Sequence, residues 1–125
     1  MSFFAILLAG CNTIGPFGET QNILKEEYVK PSPQKIQTKV TVIRSDQVAH
    51  SQCPIRFVIN GNEVAYLPAN KYITVYLDNG SYLFQVFSGC LLTGRKSWDV
   101  FANGVEQEYF IEHGYWGQLR AIQNK

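Results

Sequence analysis

The sequence predicts an all-β fold, a small antiparallel β-sandwich of about seven or eight short strands. Three observations lead there. Aromatic residues make up 14% of the 125 positions, with seven Tyr and eight Phe, a content that favours strands over helices. Apolar residues recur with a period of two through several runs rich in β-branched side chains. Three Asn-Gly pairs, Asn60-Gly61, Asn79-Gly80 and Asn103-Gly104, each fall between two such runs. Asn and Gly tolerate the positive φ that a tight hairpin turn demands. Hydrophobic residues at 46% and charged residues at 17% suit a packed domain and exclude a disordered chain or a coiled coil.

The first residues stand apart from this pattern. Phe3 to Ala9 is an uncharged apolar run, too short to cross a bilayer, which takes roughly 20 apolar residues. It suits the hydrophobic region of a secretory signal. Leu8-Ala9-Gly10-Cys11 resembles the lipobox of bacterial lipoproteins. That resemblance implies a signal peptide over residues 1–10, cleavage before Cys11, and a diacylglycerol on the Cys11 thiol. Ala9 and Gly10 are small enough to admit the backbone to a peptidase groove, and only a nucleophilic sulfur forms the thioether. Acyl chains contribute about 0.8 kcal/mol per buried methylene, so several chains anchor a protein without spanning the membrane. Asn12, where retention in the inner membrane calls for Asp, implies an outer-membrane lipoprotein facing the periplasm.

Residues 11–35 read as a tether, because Gly15, Pro16, Gly18, Pro31 and Pro33 interrupt any long element and no sustained apolar face is present. The β-domain is expected over residues 36–125. Ile36 to Arg44 alternates and is β-branched, a first strand. Three hairpins follow, one about each Asn-Gly pair: 55–59 with 63–67, 72–77 with 82–87, and 97–101 with 105–111. Tyr115 to Ile122 is expected to add an edge strand.

Three cysteines are present. With Cys11 assigned to lipid, Cys53 and Cys90 remain as a pair in an exported chain, where a disulfide is the expected state. Such a bridge would constrain the unfolded chain by about 4 kcal/mol on the entropic model. Free thiols, or a metal or catalytic site using His50 in His50-x-x-Cys53, are the alternatives.

Enzymatic signatures are lacking: no Gly-x-Ser-x-Gly, no phosphate loop, no His-Glu-x-x-His and no dinucleotide fingerprint. The two histidines, His50 and His113, fall in expected loops, and Glu106, Glu108 and Glu112 alternate as a solvated strand face does. No enzyme, cofactor or metal is expected. A net charge of +1 carries no signal for nucleic acid. Trp98, Tyr115 and Trp116 lie outside the most regular alternation and are the candidate binding surface, since exposed aromatics bring large rigid area to a sugar or a protein partner. Their alternative role is to fill the core or cap its open end.

Val42-Ile43-Arg44, Ile55 to Gly61, Val64 to Leu67, Tyr72 to Leu77, Asn79 to Tyr82 and Glu108 to Ile111 together resemble small bacterial lipoproteins with a PEGA-like β-sandwich domain of unknown function. The resemblance spans 40–122 and implies a sandwich on a lipid anchor, with no catalytic residues to carry over. The expectation is a non-enzymatic cell-envelope lipoprotein that docks a protein partner in an envelope or secretion assembly. The alternatives are a glycan- or peptidoglycan-binding module and an inhibitor of an attacking enzyme such as a lysozyme.

Overall fold

Alternating β-branched and aromatic residues build nine strands among the residues described by the computed structural model, 17–45, 53–89, 94–113 and 118–125. In chain order these are β1 (Gly18–Glu19), the single helical turn α1 (Glu26–Val29), β2 (Thr38–Arg44), β3 (Ile55–Ile59), β4 (Asn62–Leu67), β5 (Lys71–Leu77), β6 (Gly80–Ser88), β7 (Arg95–Ala102), β8 (Gln107–His113) and β9 (Leu119–Gln123). They form two packed sheets, ordered β1-β5-β2-β8-β9 and β4-β3-β6-β7. The β-sandwich expected from the sequence is therefore the fold.

One side of each strand supplies the core. Val40 and Val42, Ile55, Phe57 and Ile59, Ile73, Val75 and Leu77, and Phe84 and Val86 are all buried together between the sheets. The period of two in these runs places every second residue inward. A register shift between Phe57 and Val58 sets Ala65 opposite Phe57 and Glu63 opposite Val58. Val64 is thereby the extra residue of a bulge, and both Val64 and Ala65 are buried. Strand β2 lies in the middle of its sheet, antiparallel to β5 and parallel to β8. Its outward Thr41 and Ile43 are buried too, so it reads as a nearly continuous hydrophobic run.

Only one of the three expected hairpins forms. Asn60 and Gly61 take φ of 49° and 83° and join β3 to β4 by a two-residue turn. The Asn60 side chain also accepts a hydrogen bond from the Leu83 N–H at 2.8 Å, tying the turn to β6. The other two pairs are corrections. β5 and β6 do not pair: Asn79-Gly80 carries the chain from one sheet to the other, and β5 pairs with β2 while β6 pairs with β3 and β7. Asn103-Gly104 likewise links β7 to β8 across the sandwich, with the Gly104 N–H donating to Thr38 Oγ1 at 2.6 Å. The second hairpin is instead β6–β7, registered from Gly80↔Ala102 to Phe87↔Arg95.

The expected tether is a second correction. Residues 18–29, a strap across the β4/β5 side, are folded against the sandwich, so folded structure includes positions well ahead of Ile36. Glu19 lies beside Tyr72 in a parallel pairing of β1 with β5, and Thr20 is buried. Ile23, Tyr28 and Val29 pack on the core. The signal missed was local: the strap has no periodicity of its own because it uses backbone groups and a few side chains to cover edges built elsewhere.

Candidate functional site

Several residues singled out from the sequence, Leu8, Ala9, Gly10, Cys11, His50, Cys90, Tyr115 and Trp116, lie outside the described residues. Cys53 is buried and disulfide-bonded. Its neighbour Pro54 accepts a hydrogen bond from the Gly89 N–H at 2.7 Å, just beyond the Ile55↔Ser88 pair of the β3–β6 ladder. Gly89 is needed for that approach, since a Cβ there would sit 2.6 Å from the Pro54 ring.

Trp98 does not stand free in solvent. It is half-buried, and its ring packs 5.7 Å from Phe84 and 5.5 Å from Tyr109 between centroids. Phe84 in turn meets Phe57 edge-on at 5.1 Å, so Trp98 ends a row of rings running out from the core. Its indole N–H is buried and meets no acceptor among the described residues. Burial raises the Tyr109 phenol above its ordinary value.

His113 is the last residue of β8 rather than a loop residue, and it is buried, with Nε2 and Ser88 Oγ 3.2 Å apart. Arg44 ends β2 and is buried as well, donating from Nη1 to the Leu67 carbonyl at 2.9 Å. It borders a cavity of about 320 Å³ shared with Cys53, Leu67 and Pro68. The three glutamates on β8 and just before it are not a uniform solvated face. Glu108 is buried and accepts from Asn124 Nδ2 at 2.6 Å, Glu112 takes Arg120 at 2.6 Å, and Glu106 takes Lys125 at 3.6 Å. All three hold the C-terminal strand in place.

Among the described residues, two open grooves stand out. One, of about 390 Å³, runs between β7 and the β8–β9 pair and is bordered by Asp99, Phe101, Val105, Glu106 and Tyr109. Phe101 and Val105 are more than half exposed, at 63% and 65%. The other, of about 410 Å³, lies where the strap crosses the β5–β6 end of the sandwich. Tyr28 from α1, Tyr76 from β5 and Tyr82 from β6 line it, together with Glu27, Gln37 and Asp78. Asp78 is clamped: Gln37 Nε2 donates to Oδ1 at 3.0 Å and Lys35 Nζ to Oδ2 at 3.2 Å. Those bonds, Gln37's foremost, hold the carboxyl below its ordinary value. Gln37 is itself oriented by the Ser32 N–H on its Oε1 at 2.8 Å. The Tyr82 hydroxyl donates to the Asp78 carbonyl at 2.8 Å, and burial raises its pKa, with the Asp78 charge adding to the effect.

The tyrosine-lined groove was missed at the level of sequence because half its wall is the strap. The signal available was Tyr76 and Tyr82 flanking Asp78-Asn79-Gly80, which brings two rings to one end of the domain. No group of three His, Cys, Asp or Glu side chains able to hold a metal occurs among the described residues. Among those residues no helix is long and apolar enough to cross a membrane. No protein-family model matches the chain, and no curated protein matches it.

Proposed function

We propose that the protein is a non-enzymatic cell-envelope lipoprotein, anchored through Cys11, whose β-sandwich docks an extended segment of an envelope protein along its β7/β9 flank. The observation that carries the docking reading is the contrast between the two flanks of the sandwich. On one, the strap covers both edge strands. On the other, β7 and β9 have no further strand beside them among the described residues, and Phe101, Val105 and Ile122 are exposed there. An uncovered edge offers backbone donors and acceptors to an added strand, and exposed apolar side chains beside it supply contact area.

The lipid anchor rests on Leu8-Ala9-Gly10-Cys11 and on the disulfide at Cys53, a feature of oxidising compartments. The Pro54–Gly89 hydrogen bond supports Cys90 as its partner. Phe17 packs against Phe110, so a fully extended chain from Cys11 to Phe17 reaches at most roughly 20 Å. The sandwich would then be held close to the bilayer, confining it with its partner and raising their effective concentration.

A photo-crosslinking residue at Ile122 in intact cells tests it, with one at Tyr66 as the control on the covered flank. The expected result is a discrete protein adduct from position 122, weakened by Phe101→Asp and absent from position 66. Equal labelling from both positions would remove the flank from consideration. Incorporation of labelled palmitate, lost in Cys11→Ser, separately tests the anchor.

A further inference from the structure

We propose that the tyrosine-lined cleft at the β5–β6 end of the sandwich binds a saccharide. Its walls carry the two kinds of surface that a sugar ring presents, an apolar face and a rim of hydroxyls. Tyr28, Tyr76 and Tyr82 are each half-buried, so their rings are held in place while part of each remains accessible. Tyrosine joins a flat apolar body to a polar tip and loses little rotamer freedom on binding. Around the rings stand polar groups of both signs, fixed by bonds to one another: Gln37 between Ser32 and Asp78, and Asp78 between Gln37 and Lys35. Rigid placement of this kind lowers the entropic cost of recognition.

The cleft also retains hydrogen-bonding capacity. Tyr82 spends its hydroxyl proton on the Asp78 carbonyl, whereas the Tyr28 and Tyr76 hydroxyls and the Glu27 carboxylate have no hydrogen-bond partner among the described residues. Two phenols and a carboxylate beside aromatic faces match vicinal hydroxyls, which donate and accept at once. A volume of about 410 Å³ lies within the range of small-molecule sites, which starts at roughly 300 Å³.

Charge argues against an anionic ligand. Lys35 is 3.2 Å from Asp78 and Lys30 is 3.9 Å from Glu26, so each cation already faces a carboxylate, and Glu27 adds a negative charge. An extended proline-rich peptide would also use tyrosines, but it presents few donors to Glu27 and the phenols. The site is formed by the strap closing on β5 and β6, which gives residues 27–37 a purpose beyond spacing. It requires neither lipidation nor the β7/β9 flank.

Saturation-transfer NMR on the full chain in detergent, with chitotriose, cellotriose and maltotriose as probes, tests the assignment. Transfer onto at least one trisaccharide is expected at millimolar concentration. Tyr28→Ala or Tyr76→Ala should weaken it by about tenfold, the change that follows from losing one ring contact. Tyr28→Phe, Tyr76→Phe and Glu27→Gln keep the shape of the site and should weaken it less, and they serve as the test where an alanine variant fails to fold. Leu83→Ala, on the outer face of β6 and outside the cleft lining, should leave it unchanged. Lack of transfer from the wild type, or transfer undiminished in folded cleft variants, would overturn the proposal. So would saturable binding of a polyproline peptide at the cleft with no sugar bound.

Discussion

The two flanks of the sandwich are closed by different means. On the β4/β5 flank the closure is backbone. The Gly18 N–H donates to the Asn70 carbonyl and the Thr20 N–H to that of Tyr72, sealing β5. The Asn22 carbonyl takes the Tyr66 N–H and the Leu24 N–H reaches the Val64 carbonyl, sealing β4, while Thr20 Oγ1 donates to the Tyr66 carbonyl at 2.7 Å. On the β7/β9 flank the closure is side chain: Trp98 and Tyr109 pack across the gap with their rings tilted by 51°, and Leu119 of β9 is buried. Backbone closure takes up edge groups at Asn70, Tyr72, Val64 and Tyr66 and sets the strap where another strand would add. Side-chain closure keeps water from the core yet leaves edge donors and acceptors available. That difference is the ground for proposing the β7/β9 flank as the docking side.

The largest effect should come from removing the strap. Deleting residues 17–25 strips the hydrogen bonds just named and uncovers the apolar surface beneath Ile23. At a net of about 0.5–1.5 kcal/mol per hydrogen bond, a loss of roughly 3–5 kcal/mol in urea unfolding is expected. The deleted protein should also self-associate, as an uncovered β4/β5 edge would. A loss below about 1 kcal/mol, with the protein still monomeric, would show that the strap is not what protects this flank.

Next in size is the side-chain closure. Truncating a buried aromatic costs about 3–5 kcal/mol, and Trp98 is only half-buried, so Trp98→Ala should cost about 2–3 kcal/mol. Trp98→Phe keeps a ring against Phe84 and Tyr109 and removes an N–H that meets no acceptor among the described residues. It should cost about 1 kcal/mol or less. Chemical denaturation of both variants measures this. Equal costs would mean that the indole N–H, not the ring, holds the flank.

How far this architecture could be read in advance follows from the same contrast. Inward alternation is a property of single strands, so β2 to β8 and the two-sheet class were legible. Pairing was not. A hairpin about Asn79-Gly80 and the observed crossover both turn Leu77 and Phe84 inward, so alternation cannot separate them. At Asn103-Gly104 a usable hint existed: a two-residue hairpin there would set Asp99 directly opposite Glu108, an unfavourable like-charge pair. In the fold Asp99 faces Leu83 and Glu108 faces Thr41. The strap could not be read because its Thr20 and Asn22 act on partners some fifty residues away, Tyr66 and Tyr72. Trp98 stood out by composition, but which way it faces depends on β7 pairing with β6, and that pairing was hidden with the rest. The cleft needed both the strap and the crossover, so neither Tyr28 nor Gln37 signalled a site.

The smallest effect lies where the strap ends, at the Asp78 clamp that also forms one wall of the cleft. Its hydrogen bonds from Gln37 and Lys35 hold the folded-state pKa below the ordinary 3.8. A carboxyl whose pKa is lowered by folding stabilises the protein at pH above that ordinary value, and the contribution disappears as pH falls through the lower, folded value. Asp78→Asn should therefore lower the melting temperature slightly at neutral pH, with the difference vanishing in acid. Because Asp78 is solvent-exposed, screening keeps the effect small. The carboxyl carbon shift, followed by NMR against pH, separates the two donors. Gln37→Ala and Lys35→Ala should each raise the Asp78 pKa, the first by removing the largest single cause and the second by removing a hydrogen bond and a charge together. A rise confined to Lys35→Ala, and lost at high salt, would mean that the lysine's charge governs the site. The strap's end would then be held by a salt-sensitive ion pair, and its closure over the cleft would loosen with ionic strength.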